Sequence, residues 1–555
     1  MRVLITGADG RLARAVMAAL PDGSSVVAVD SRFSAPLPQG IETREGDIRD
    51  PELVATLLEG VEVVLHLAPL APPSDDESTA IDMATRGTYL LFTRALDVGV
   101  RQFVLGSTLE LFDRLPAKWE VSEEWCPRPE PRIEHLSTWL AELSAREVVR
   151  GSDARAICLR FGRLVDDAEA TALPYDPRWL HLDDAVAGVQ RALTYTAPSS
   201  WASLHDAGTG LARVLVYEPV SWSVFHITAA GKRAKIRLTA AGTELFGYQP
   251  VHDFGDRAEA HPEGSRSRPS MSLPQGQSWH AVLAPRSPLQ SRLIRNIVIF
   301  GAGGPLAAGV VPHLTAGYKL RLTDVRPIEE IAAEGPRRDQ PAGAPVPVPL
   351  GAPHEQRVVD VTDLEQVKEA CAGMDAIVNC TVIRHDQVGA FRVNTLGAYN
   401  IARAAVEHGI RRIVQTGPQL VTLQHEEDYT SDYDIPAEAP PRPGRYLYGH
   451  SKFLGQEIIR VFADYYGLEV PVLLFNQLAQ PDAPQAQRLD PFAVSWRDAA
   501  RAIHRAIELP TLPRPFEVLN VGADLPHGRY THRRATEILG WQARDDMRHL
   551  WSAPD

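Results

Sequence analysis

Tyr448 and Lys452 stand four residues apart in YGHSKFLGQEIIR, residues 448–460. That spacing puts both side chains on one face of a helix. An ammonium close to a phenol favours the phenolate and draws the tyrosine below its ordinary pKa of about 10. Such a phenol can take a proton from the hydroxyl of a small molecule, or return one. The chain holds a second version of this segment, TWLAELSAREVVR, residues 138–150, in which Thr138 and Glu142 occupy the two positions. The acid–base pair is therefore written once, inside a pattern that occurs twice.

The elements that must position these residues repeat in order. RVLITGADGRLARAVMAAL, a β-branched run, a glycine turn and an apolar helical period, is answered by RNIVIFGAGGPLAAGVVPHL. SVVAVD is answered by KLRLTD, GDIRD by VVDVTD, and VEVVLHLA by MDAIVNCTV. The next helix and strand follow in both copies, and TELFGYQPVHDF near the end of the first matches TEILGWQARDDM near the end of the second. Strands alternating with helices predict parallel sheets covered on both faces. The expected organisation is α/β, with two tandem domains at 1–255 and 294–555 joined by a Pro-, Ser-, Gly- and Arg-rich linker at 256–293. Trp279 is expected to pack part of that linker. A Pro-rich stretch, Gly335 to Pro353, reads as an exposed loop inserted in the second copy.

Each copy carries a nucleotide signature. Gly7, Gly10 and Ala13, and again Gly301, Gly304 and Ala307, lie where a strand turns into a helix. There glycines let the backbone approach a pyrophosphate, and the helix start offers free N–H groups. Asp30 and Asp324 close the following strand, placed to accept hydrogen bonds from the adenosine ribose and to repel a 2′-phosphate. This favours NAD, with NADP open because Arg32 and Arg326 follow two residues on. Asp47 with Ile48, and Asp360 with Val361, would sit near the adenine.

Through TGADGRLA, HLA, NTLGAYN, YGHSK and HLDDAVAG the chain resembles, twice over, the extended short-chain dehydrogenase/reductases, the NAD-dependent epimerase/dehydratase group. The resemblance covers all but the linker and the insertion. It implies two Rossmann-type domains, bound NAD(P), and a sugar or sugar-derived substrate. The compact second half is most similar to uronate dehydrogenases. The resemblance assigns proton transfer to Tyr448 and Lys452, with Lys452 also holding the nicotinamide ribose, and gives Asn394 a role in anchoring the active-site backbone. Ala84 replaces that Asn in the first copy. The family's further catalytic Ser or Thr aligns with Ser107 and Thr108 in the first copy, but with Gly417 and Pro418 in the second. Thr416, Gln419 or Thr422 could substitute.

Three readings stay open: a working second half beside a degenerate first, two nucleotide-binding halves without turnover, and halves that pool Thr108 with Tyr448. The family's mode of pairing also suggests an intramolecular pseudo-dimer through the helical stretches 84–98 and 138–150 and their counterparts.

The formal charge of −13 disfavours nucleic acid as a partner. Four cysteines without a CxxC pair, and no targeting or membrane-spanning stretch, fit a reducing cytoplasm. HLDDAVAG reads as a helix start capped by Asp183 or Asp184. The run HEEDYTSDYD, 425–434, lacks a metal-ligand spacing and reads as a solvated loop, so no metal is expected.

Overall fold

The computed structural model describes residues 1–70, 76–115, 121–195, 221–230, 241–254, 285, 288–290, 292–336, 340, 343–422, 434–482, 489–526 and 528–551. It divides into two compact units, Met1–Leu283 and Ala284–Asp555. Most of 256–293, Trp279 included, and nearly all of the 425–434 run lie outside the described residues.

The first unit is built on seven parallel strands: β1 (Arg2–Thr6), β2 (Ser25–Asp30), β3 (Glu42–Glu45), β4 (Val63–His66), β5 (Gln102–Thr108), β6 (Arg155–Phe161) and β7 (Trp222–Ile227), in the spatial order 3-2-1-4-5-6-7. The second repeats it with β8 (Asn296–Phe300), β9 (Lys319–Asp324), β10 (Glu355–Val358), β11 (Ala376–Asn379), β12 (Arg412–Pro418), β13 (Val470–Phe475) and β14 (Phe516–Asn520), in the order 10-9-8-11-12-13-14. These are two tandem Rossmann-type α/β domains. In each, the order reverses beside the first strand, and ligands of such sheets bind in the crevice beyond the strand ends at that point.

The central strands are apolar on both faces because helices cover both. Ile297, Ile299, Leu320, Leu322, Val378 and Leu473 pack against Val310 and Val311 of the helix Pro305–Leu314 and against Ile503 and Ala506 of the helix Trp496–Glu508. Each buried aliphatic side chain contributes about 1.5–3 kcal/mol. The matching chain ends do the same work in both units. Gly247 and Gly540 take positive φ (73° and 59°), and the next residues, Tyr248 and Trp541, are buried. Tyr248 Oη donates to the Thr228 carbonyl and Trp541 Nε1 to the Asp498 carbonyl.

HLDDAVAG is a structural helix start, but its cap differs from the expected one. His181 caps the helix by accepting from the Asp183 N–H, while buried Asp184 accepts the N–H groups of Val251 and His252. Asp498 binds the Arg544 and Asp545 N–H groups in the second unit in the same way. Among the described residues no helix is long and apolar enough to cross a membrane.

Candidate active site

A cavity of about 840 Å³ opens beyond the strand ends of the second unit. One end is the glycine turn. Gly301 has φ +75°, and a Cβ there would lie 2.9 Å from the Cys380 and Thr381 backbone, so only glycine fits. Gly304 is the N-cap of α1 (Pro305–Leu314), with Pro305 at its first turn, where a missing N–H costs nothing. Ala307 is fully buried at the helix–sheet contact.

Asp324 is held rigidly beside this turn. One carboxylate oxygen accepts the Gly303 N–H at 2.9 Å and the other accepts the Val325 N–H at 2.8 Å. Arg326, which could have favoured a 2′-phosphate, is engaged by Glu334 and Glu330. Asp360 accepts the Thr362 N–H, and the Val361 carbonyl accepts from Asn400; both residues line the cavity. The described part of the Pro-rich insertion is not merely an exposed loop. Pro345, Val346 and Pro347 line the same cavity, and the Gly343 carbonyl accepts from Gln480.

The other end holds the Tyr–Lys pair of the repeated segment. Tyr448 and Lys452 lie in the first two turns of α2 (Leu447–Tyr466), and both line the cavity. Buried Asn394 ties this helix to the loop after β11: its amide donates to the Ile383 carbonyl at 2.8 Å and to Ser451 Oγ at 2.9 Å. Lys452 Nζ donates to the Thr381 carbonyl at 2.5 Å, and burial depresses its pKa to about 8. The expected effect on the phenol differs. Burial raises the Tyr448 pKa above its ordinary value, and the cation that opposes this is Arg384, not Lys452. The Arg384 guanidinium lies 5.2 Å from the Tyr448 ring centre. Arg384 went unnoticed in the sequence because it is 64 positions away and belongs to no motif.

Pro418 ends β12 on the cavity wall. Of the three substitutes for its missing hydroxyl, only Thr416 lines the cavity, and its Oγ1 donates to the Asn379 carbonyl. Gln419 donates to Tyr530 Oη, and Thr422 is buried.

In the first unit the turn is preserved and the Tyr–Lys pair is replaced. Gly7 has φ +67°, and a Cβ there would lie 2.6 Å from the Ala68 nitrogen. Gly10 caps the helix Arg11–Ala18, in which Ala13 is buried, and Asp30 accepts the Asp9 and Ser31 N–H groups. Asp47 is tied up by Arg49, which also binds Asp82, and Ile48 is buried beside them. Where the second unit has Lys452, buried Glu142 pairs with buried Arg160 and accepts from Ser107 Oγ. Thr108 accepts the Glu110 N–H as the cap of a short 3₁₀ turn.

A strand–glycine turn–helix with a fixed acid at the next strand end defines a dinucleotide-binding domain. The sequence pattern of the NAD dependent epimerase/dehydratase family matches residues 3–164 and 297–488, more than half of the chain, and the chain belongs to that family. Its cofactor is NAD(P).

A uronate dehydrogenase of Pseudomonas putida (strain KT2440) is 28% identical over 222 residues, 39% of this chain and 72% of that protein. An L-arabinose 1-dehydrogenase (NAD(P)(+)) of Haloferax volcanii is 27% identical over 274 residues, 45% of this chain and 97% of that protein. The crystal structure of uronate dehydrogenase from Agrobacterium tumefaciens is similar at 24% identity and a TM-score of 0.37, over 47% of this chain and 91% of that one.

Proposed function

We propose that the protein is an NAD-dependent oxidoreductase acting on a sugar or uronic acid, with its chemistry in the second unit. The observation that carries this is the meeting of Tyr448, Lys452 and Asn394-anchored backbone in one cavity with the Gly301 turn and Asp324. The cradle fits the nucleotide: Gly301 leaves room that any side chain would fill, and the start of α1 faces it with free N–H groups. Asp324 and the engaged Arg326 favour NAD over NADP.

When bound, NAD supplies the hydride acceptor. Tyr448 takes the proton from the substrate hydroxyl as the C–O bond becomes a carbonyl. Lys452 would hold the nicotinamide ribose, and Asn394 fixes the start of α2 so that the phenol keeps its aim. Dehydrogenation suits the relatives' names; epimerisation or dehydration would begin with the same hydride removal.

Cofactor reduction, followed by absorbance across a panel of sugars and uronic acids, tests the reading. Tyr448→Phe is expected to lower kcat by about 10²–10⁴-fold on the sugar that wild type oxidises. Activity that survives the substitution would remove Tyr448 from the mechanism. Pro418 supports a second reading, a nucleotide-binding protein without turnover; nucleotide binding with no reduction on any sugar would favour it.

A further inference from the structure

We propose that Arg384 stands in for the hydroxyl that Pro418 lacks: its guanidinium sets the proton affinity of Tyr448, and so the pH at which that phenol accepts the substrate's proton. This rests on the oxidoreductase reading above.

The proposal begins with what is missing. Pro418 has no polar side chain, and it ends the strand where the family places its hydroxyl. Thr416 spends its proton on the Asn379 carbonyl, while Gln419 and Thr422 do not line the cavity. Lys452 points its ammonium at the Thr381 carbonyl. Thr416, Gln419 and Lys452 are thus engaged elsewhere.

Arg384 is turned toward it. It lies on the loop after β11, exposed to the cavity, with its guanidinium carbon 5.2 Å from the centre of the Tyr448 ring. Among the described residues, the other titratable groups around the phenol are Tyr446 before α2, Lys452 one turn along it, Cys380 beside Lys452, and Arg392 on the cavity wall. The acids that line the cavity, Asp324, Glu334 and Asp360, include the one beside the glycine turn and the one paired with Arg326. A guanidinium keeps its charge at every working pH. Its charge opposes the burial of the phenol, drawing the Tyr448 pKa down from where burial alone would put it. The substrate O–H bond breaks, its proton passes to the Tyr448 oxygen, and Arg384 stabilises that oxygen's charged form beforehand. Arg384 is therefore a positioning residue acting through Tyr448.

The test uses the full chain and three variants: Arg384→Gln, Arg384→Lys and Tyr448→Phe. Ultraviolet phenolate titration, with Tyr448→Phe subtracted to isolate one tyrosine, is run with and without NAD. Arg384→Gln is expected to move the Tyr448 titration upward by about one to two pH units, and Arg384→Lys to restore most of it. On an oxidised sugar, kcat/KM of Arg384→Gln should fall roughly 10- to 100-fold near neutrality, with the gap closing as pH rises. An unmoved tyrosine titration in Arg384→Gln overturns the proposal. So does a loss of kcat/KM that is equal at every pH. A shifted titration without turnover on any sugar supports the Arg384–Tyr448 coupling and sinks the oxidoreductase reading instead.

Discussion

Burying Lys452 costs the second domain stability. Burial lowers its pKa to about 8, against about 10.4 in an unfolded chain. Between those values the unfolded chain binds the proton more tightly, so stability rises with pH across that window and the full cost is present below it. Lys452→Met is therefore expected to stabilise the nucleotide-free protein at pH 7 by about 1–3 kcal/mol, an advantage that fades by about pH 10.5. Urea unfolding of both proteins at pH 7 and pH 10 checks this; an equal gap at both would refute it. That Tyr448 and Lys452 share a helix face was legible in the sequence because their spacing is local. Arg384 was not, since only the loop after β11 brings it to the phenol. The direction of the Tyr448 shift was also hidden, because it depends on how much protein surrounds the ring.

At the scale of elements, the glycine turns carry the strictest demand. Gly301 combines φ +75° with a backbone contact that admits no Cβ. Gly301→Val is expected to weaken NAD binding at least 100-fold, and calorimetric titration of the full chain would show it. Affinity within a factor of about three of wild type would mean that the turn does not hold the pyrophosphate. These turns, the strand order and the acids at the strand ends could be read directly, since each is a local pattern imposed by backbone geometry. The Pro-rich insertion misled for the opposite reason. Its composition fits any surface loop, and nothing in it announces that Pro345, Val346 and Pro347 line the cavity. HLDDAVAG was read rightly as a helix start, but assigning the cap required knowing that Asp184 faces a segment 67 residues away.

At the scale of the whole molecule, two copies of one fold have kept their frames and parted in chemistry. The first keeps its turn, yet it places Asp9 where the second has Gly303, and fills the lysine position with Glu142. Asp9 is held by Arg14 and Glu142 by Arg160, so an ion pair stands at the turn and another takes the place of the lysine that would hold the ribose. The full chain is accordingly expected to bind one equivalent of NAD tightly, with Asp324→Ala abolishing that binding and Asp30→Ala leaving it intact. Titration calorimetry giving two equal equivalents would contradict this. The Glu142–Arg160 pair also bears on history. A single codon change placing lysine at position 142 would set two cations against each other in a dry interior, a penalty of several kcal/mol. Giving the first unit the second unit's lysine must pass through that unstable intermediate or change both sites at once. The pair thus works as a ratchet, and natural selection could not easily wind it back.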